Sequence, residues 1–270
     1  MKLNIFDVEH GACALLTCDN GTRLMIDCGH NVTTEWKPGN YLASLGVMRL
    51  DMLAITNYDE DHVSGLPNLV SRVHIDWLLR NPTVSTQAIA LLKARNGIGA
   101  GIELLGNMIA GLVVTQTPEP NFAGVIWHAF WNPYPFFTDT NDLSIALHLS
   151  INGMGFLFPG DLQTAGWKNI LTTNAKFREI VRATRVLVAS HHGRDDGICT
   201  ELFDDYGCSP QIVVISDDYH QYETQNTTPY YESKCSGIDG FRGQAKRRVL
   251  TTRSDGDITF TFNQQGCIVN

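Results

Sequence analysis

Three short apolar runs in this chain stop at carboxylates and histidines, residue types able to ligate metals or transfer protons. The run 50–55 ends at Thr56-Asn57-Tyr58-Asp59-Glu60-Asp61-His62, the run 154–158 at Pro159-Gly160-Asp161, and the run 186–189 at Ser190-His191-His192-Gly193. Each is too short for a helix and reads as a buried strand. A buried strand needs cover on its apolar face, so the chain must build sheets and layer other elements over them.

Periodicity fills in the rest. Strands are expected over 3–8, 12–18 and 22–27, the last two joined by the Asp19-Asn20-Gly21 turn, and over 75–79, 125–131, 143–150, 154–158, 186–189, 212–216, 248–252 and 258–262. Short helices are expected over 41–45, 66–70, 86–95, 102–109, 165–171, 176–183 and 200–206, and 254–257 reads as a turn. Both halves show the same alternation. No linker or low-complexity tract divides them, and the proline- and aromatic-rich stretch 118–140 is a long excursion without the marks of a boundary. The expectation is one domain over 1–270, with two sheets face to face and helices outside.

Bulk properties narrow the function. There is no apolar run of about 18 residues, as a membrane span needs, and the first residues lack the apolar core of a signal peptide. A cytoplasmic protein with no membrane partner is expected. The formal net charge of −8 argues against a generally basic nucleic-acid surface. It leaves room for a nuclease, because a metal-lined site concentrates positive charge locally. Seven cysteines, an odd number without a C-x-x-C pair, do not suggest a disulfide framework.

Two carboxylates two residues apart, Asp59 and Asp61, with His62 beside the second, can aim hard and borderline ligands at one point where a strand gives way to a loop. The segment resembles the H-x-H-x-D-H signature of the metallo-β-lactamase superfamily, with Asn57 and Asp59 in place of its first two histidines. Further segments resemble, in order, the hydrolase domain of ComEC-type DNA-uptake proteins and their soluble relatives. Asp7-Val8-Glu9-His10-Gly11-Ala12 with Leu24-Met25-Ile26-Asp27-Cys28-Gly29 is similar to its opening strands. Phe156-Leu157-Phe158-Pro159-Gly160-Asp161, Val188-Ala189-Ser190-His191-His192-Gly193 and the stretch 249–258 are similar to its later segments, and Asn141-Asp142-Leu143-Ser144 sits where that branch often has N-N-x-S-L. The branch commonly has aspartate at the position of Asp59. Asn57 departs from it.

The resemblance implies a four-layer αββα sandwich and a site for one or two divalent ions, Mn2+, Zn2+ or Mg2+. Its implied ligands are Asp59, Asp61, His62, Asp161 and one of His191 and His192, with His191 placed first. Asp61, His62 and Asp161 would form the catalytic core, and Asp161 could bridge two ions. Asn57, His10 and His220 are further candidates for the site. Asn141 and Ser144 would position a phosphate or brace the loop, and Arg194 could grip a phosphate. The implied activity is metal-dependent hydrolysis of phosphodiesters, with DNA first. Two alternatives stay open: hydrolysis of a small molecule such as a cyclic nucleotide or lactone, and a metal-poor scaffold or sensor marked by Asn57. Nucleic acid as substrate and a partner protein are the expected associations. A self-standing version of such a domain suggests a duty such as defence against foreign nucleic acid.

Overall fold

The computed structural model describes residues 1–94, 97–111, 118–219, 223–264 and 266–270, and its chain lays two mixed sheets face to face. The first half supplies β1 (Lys2–Ile5), β2 (Ala14–Thr17), β3 (Arg23–Ile26), β4 (Arg49–Leu50), β5 (Met52–Ala54), β6 (His74–Ile75) and β7 (Leu78–Leu79). The second supplies β8 (Val125–Trp131), β9 (Ile145–Ile151), β10 (Met154–Phe158), β11 (Thr184–Val188), β12 (Ile212–Ile215), β13 (Val249–Thr251), β14 (Ile258–Asn263) and β15 (Gly266–Val269). One sheet runs β15-β14-β1-β2-β3-β5-β7 and the other β13-β12-β11-β10-β9-β8, while β4 and β6 pair separately. The closing hairpin β14–β15 returns to the first sheet, where Ile258 lies opposite Ile5.

Side-chain alternation explains the layering. Leu3, Ile5, Leu24, Ile26 and Ala54 face Leu147, Leu149, Phe156, Val186 and Val214 across the inter-sheet core. The intervening residues point outward and are buried a second time. Leu15, Met25 and Leu53 pack with Leu42, Leu66, Leu69, Ile102 and Leu105, from the helices Pro38–Ser44, Leu66–Val70 and Ala100–Gly111. Leu157, Leu187 and Val213 pack with Trp167, Phe177, Leu202 and Tyr231, from the helices Thr164–Thr173, Ala175–Ala183, Thr200–Asp204 and Thr228–Lys234. The αββα order is therefore the one expected. Among the described residues, no helix is long and apolar enough to cross a membrane.

Several elements differ in detail. The single strand expected over 75–79 is two, because β6 pairs with β4 while β7 pairs with β5, and the chain turns between them. The strand expected from 143 begins at Ile145. Part of the expected turn at 254–257 belongs to a short helix, Thr252–Asp255. The helix Thr228–Lys234 and the strand β15 were not anticipated, and Arg95, expected to end a helix, lies outside the described residues.

Parallel pairing of β3 with β5, and of β10, β11 and β12 in series, points the carboxyl ends of these strands the same way within each sheet. The chains leaving those ends meet at one edge of the sandwich, where open α/β sheets commonly place their sites.

Candidate functional site

Four side chains converge at that edge. Asp61 and His62 lie on the helix Glu60–Val63 after β5, Asp161 follows β10, and His192 follows β11. Nε2 of His62 is 3.1 Å from Asp161 Oδ1, and Nε2 of His192 is 3.1 Å from Asp61 Oδ2 and 3.6 Å from Asp161 Oδ1. Ligand atoms of Asp61, His62 and His192 all fall within 4.8 Å of one another. Among the described residues, both Nε2 atoms are buried and lack a partner with hydrogen-bond geometry. Buried ring nitrogens are rarely left so, and this donor set of two imidazoles and two carboxylates could hold a divalent ion.

The other nitrogen of each ring explains the aim. His62 Nδ1 donates to Asp27 Oδ2 at 2.9 Å, and His192 Nδ1 donates to the Ser216 carbonyl at 3.0 Å. Each bond fixes the tautomer that turns a lone pair on Nε2 inward, the arrangement found around metal-bound histidines. Asp27 is held in place by accepting from the Thr56 backbone N–H at 2.7 Å, at a left-handed φ of 54°. Asp27 was not anticipated as a site residue, although its place in a strand-ending L-I-D-x-G-like segment was the available signal.

Two glycines seat the helix that carries Asp61. A Cβ on Gly29 would stand 2.6 Å from the Asp61 carbonyl oxygen, and one on Gly11 2.7 Å from the same atom. The Cys28 N–H also donates to the His62 carbonyl at 2.8 Å. Gly29→Ala must therefore push the helix away from its seat. It should cost about 1–3 kcal/mol, the usual range for overpacking, measured as the shift in urea midpoint against wild type. An unchanged midpoint would show that the seat is soft.

The electrostatics follow from burial and crossing charges. Burial alone disfavours the charged forms, yet the carboxylates of Asp161 and Asp27 hold the His62 pKa well above its ordinary value. Asp161 and Asp61 likewise outweigh burial at His192 and raise it. Burial pushes the Asp161 carboxyl up, but the His62 and His192 rings pull it well below the ordinary range. Asp61 is also lowered, with burial opposed by His192 and His62.

The histidine pair divides in a way that reverses the expected preference. His191 and His192 both adopt left-handed backbone, φ 51° and 52°, which swings their rings apart. Such conformations store strain of roughly 1–3 kcal/mol each in non-glycine residues. His192 turns into the group, whereas His191 donates from Nδ1 to Asp196 Oδ1 at 2.7 Å, with Arg194 Nη1 3.5 Å from its Nε2.

The remaining candidates surround the four. Asn57 is fully buried; its Oδ1 accepts from the Asp59 N–H at 2.7 Å, and its Nδ2 donates to Asn141 Oδ1 at 3.2 Å and Ser144 Oγ at 3.1 Å. Ser144 Oγ also accepts from the Asp161 N–H at 3.1 Å, so Asn141 and Ser144 brace the loop. Asp59 is not part of the group of ligand atoms within 4.8 Å of one another, and its carboxylate pairs with Lys93. His10 is half-buried beside Tyr219, ring centroids 6.1 Å apart; burial, with help from the His192 charge, lowers its pKa. His220 lies outside the described residues.

No family model matches the chain, and no curated protein does. Solved structures do. The metallo-beta-lactamase fold protein YhfI from Bacillus subtilis matches with a TM-score of 0.50 at 10% identity, over 96% of this chain and 100% of that one. CmlA, a diiron beta-hydroxylase from Streptomyces venezuelae, matches with a TM-score of 0.56 at 13% identity, over 96% of this chain and 53% of CmlA, so the chain spans about half that protein's length. At such identities the likeness is one of backbone, and together with the four layers it shows that this chain has the metallo-β-lactamase fold.

Proposed function

We propose that the chain is a metal-dependent hydrolase of phosphodiester bonds, with DNA as its substrate. The observation that carries the metal is the pair of buried, unpartnered Nε2 atoms on His62 and His192, facing the carboxylates of Asp61 and Asp161. Those four residues would be its ligands. The segments that resemble the ComEC-type hydrolase domain support phosphodiesters as the substrate class. A divalent ion, when bound, supplies Lewis acidity and a water activated near neutral pH.

The chain's own residues do the positioning. Side chains of His62, Asp161 and His192 are 1%, 5% and 6% exposed, whereas that of Asp61 is 39% exposed. On this reading Asp61, the ligand that reaches solvent, would orient an attacking water. Asp27 and the Ser216 carbonyl hold the two rings, and Arg194, beside His191, would be the residue to meet a substrate phosphate on this reading.

A small-molecule substrate is the second reading, favoured by the net charge of −8, which opposes binding of a long polyanion. Incubating purified protein with plasmid and with bis-p-nitrophenyl phosphate separates the two. Cleavage of plasmid that is lost in EDTA and regained with Mn2+ is expected. Hydrolysis of the small ester alone would move the substrate to a small molecule, and inertness toward both with every divalent ion would remove the enzyme.

A further inference from the structure

The flank of the site that carries Asp59 already contains a cation. Asp59 stands at the start of the helix Glu60–Val63, yet its carboxylate does not cap that helix. It forms an ion pair with the Lys93 ammonium, delivered from the end of the helix Thr86–Lys93, and accepts from Thr140 Oγ1 at 3.2 Å. Lys93 is only 7% exposed. A lysine buried to that degree is held by its partner, because an unpaired ammonium would leave for water. Burial pushes the Lys93 pKa down, while the charges of Asp139 and Asp161 oppose the fall, so the ammonium feels the same carboxylate that faces His62 and His192.

The neighbouring amide oxygens are already engaged. Asn57 Oδ1 accepts the Asp59 N–H, and Asn141 Oδ1 accepts the Asn57 amide. The Asp59 carboxylate is held by Lys93, and the Asp139 carboxylate, which also acts on Lys93, accepts from the Asn141 N–H at 2.8 Å. A second divalent ion here would have to displace a buried ammonium and share oxygens that already accept hydrogen bonds.

We infer that Lys93 serves as a built-in cation on the Asp59 flank of the site, so that the protein takes one divalent ion where its carboxylates would otherwise admit two. The inference rests on the metal reading above. It explains how Asn57 is tolerated: with an ammonium in place, no imidazole is needed at that position. Asn57 and Lys93 then form one device, in which the amide fixes the Asp59 backbone and the ammonium neutralises its carboxylate.

The test is a metal count. Wild-type protein, Asn57→His, and the double variant Asn57→His/Lys93→Ala are each loaded with excess MnCl2, desalted and measured by inductively coupled plasma mass spectrometry. Mn2+ electron paramagnetic resonance then distinguishes isolated ions from exchange-coupled pairs. One ion per chain is expected in wild type and in Asn57→His, with the six-line spectrum of an isolated ion. The double variant should take twice as much and show a coupled spectrum. Two ions in wild type or in Asn57→His would overturn the inference, and so would a cooperatively melting double variant that keeps one. A misfolded double variant leaves Asn57→His as the test, because a second ion taken up beside an intact Lys93 overturns the inference. No ion in wild type would overturn the metal reading instead.

Discussion

Replacing Asp161 by asparagine is expected to empty the site of metal and silence it while the sandwich stays folded. The substitution keeps size and shape, and the backbone N–H that donates to Ser144 Oγ at 3.1 Å is untouched. What disappears is the carboxylate oxygen 3.1 Å from His62 Nε2 and 3.6 Å from His192 Nε2, a buried anion that faces both rings. A carboxamide there offers a neutral oxygen at best and points N–H donors at the ion at worst. Groups that merely support metal ligands typically cost about 10–100-fold in metal affinity or activity when removed. Loss of Asp161 should exceed the top of that range. Bound Mn2+ by mass spectrometry and the single-turnover cleavage rate read the two effects, with circular dichroism to check the fold. A folded Asp161→Asn protein that retained its ion would place the metal elsewhere.

The second large effect is a dependence of metal affinity on pH. In the metal-free protein the carboxylates raise the pKa of both His62 and His192 against the opposing effect of burial. The ion and the proton compete for the same Nε2 lone pairs, so binding must expel protons. Because the pKa values are raised, the rings stay protonated to higher pH than free histidine, and apparent affinity should fall continuously from pH 8 to pH 6. Each displaced proton contributes about tenfold per pH unit, and two contribute about a hundredfold. Calorimetry in buffers of different ionisation enthalpy counts the protons directly. Affinity constant across that range would mean that the rings are neutral before the ion arrives. The sign for stability is opposite in the two states. A raised histidine pKa favours the metal-free fold most below about pH 6.5, and that contribution is lost as pH rises through the folded value. Metal-loaded protein gains over the same interval, so the two melting temperatures should separate as pH increases.

Much of this was legible from residue order. Apolar runs ending at Asn57, Asp161 and His191 gave strands whose carboxyl ends do meet, in two sheets layered as expected. What escaped has physical reasons. The choice between His191 and His192 depends on two successive left-handed φ angles, which no side-chain pattern announces. Lys93 ends an ordinary amphipathic helix and reaches Asp59 only through tertiary packing, so nothing local marks it. The helix Thr228–Lys234 begins Thr-Pro-Tyr-Tyr, residues that favour turns and strands, and tertiary contacts of Tyr231 in the core override them. The strand expected over 75–79 breaks because its two ends serve different sheets.

The origin of the four converging residues has a consequence beyond chemistry. Asp61 and His62 leave one sheet, Asp161 and His192 leave the other. An ion shared by all four is a rivet through the edge of the sandwich, added to the hydrogen bonds that already cross there from Ile145 N–H to the Thr56 carbonyl at 2.8 Å and from Asn57 Nδ2 to Ser144 Oγ at 3.1 Å. Whatever free energy the ion gains on binding is then withheld from any motion that parts the sheets, about 2.7 kcal/mol when free metal stands at a hundred times its dissociation constant. Starving the protein of metal would loosen its seam as well as stop its reaction.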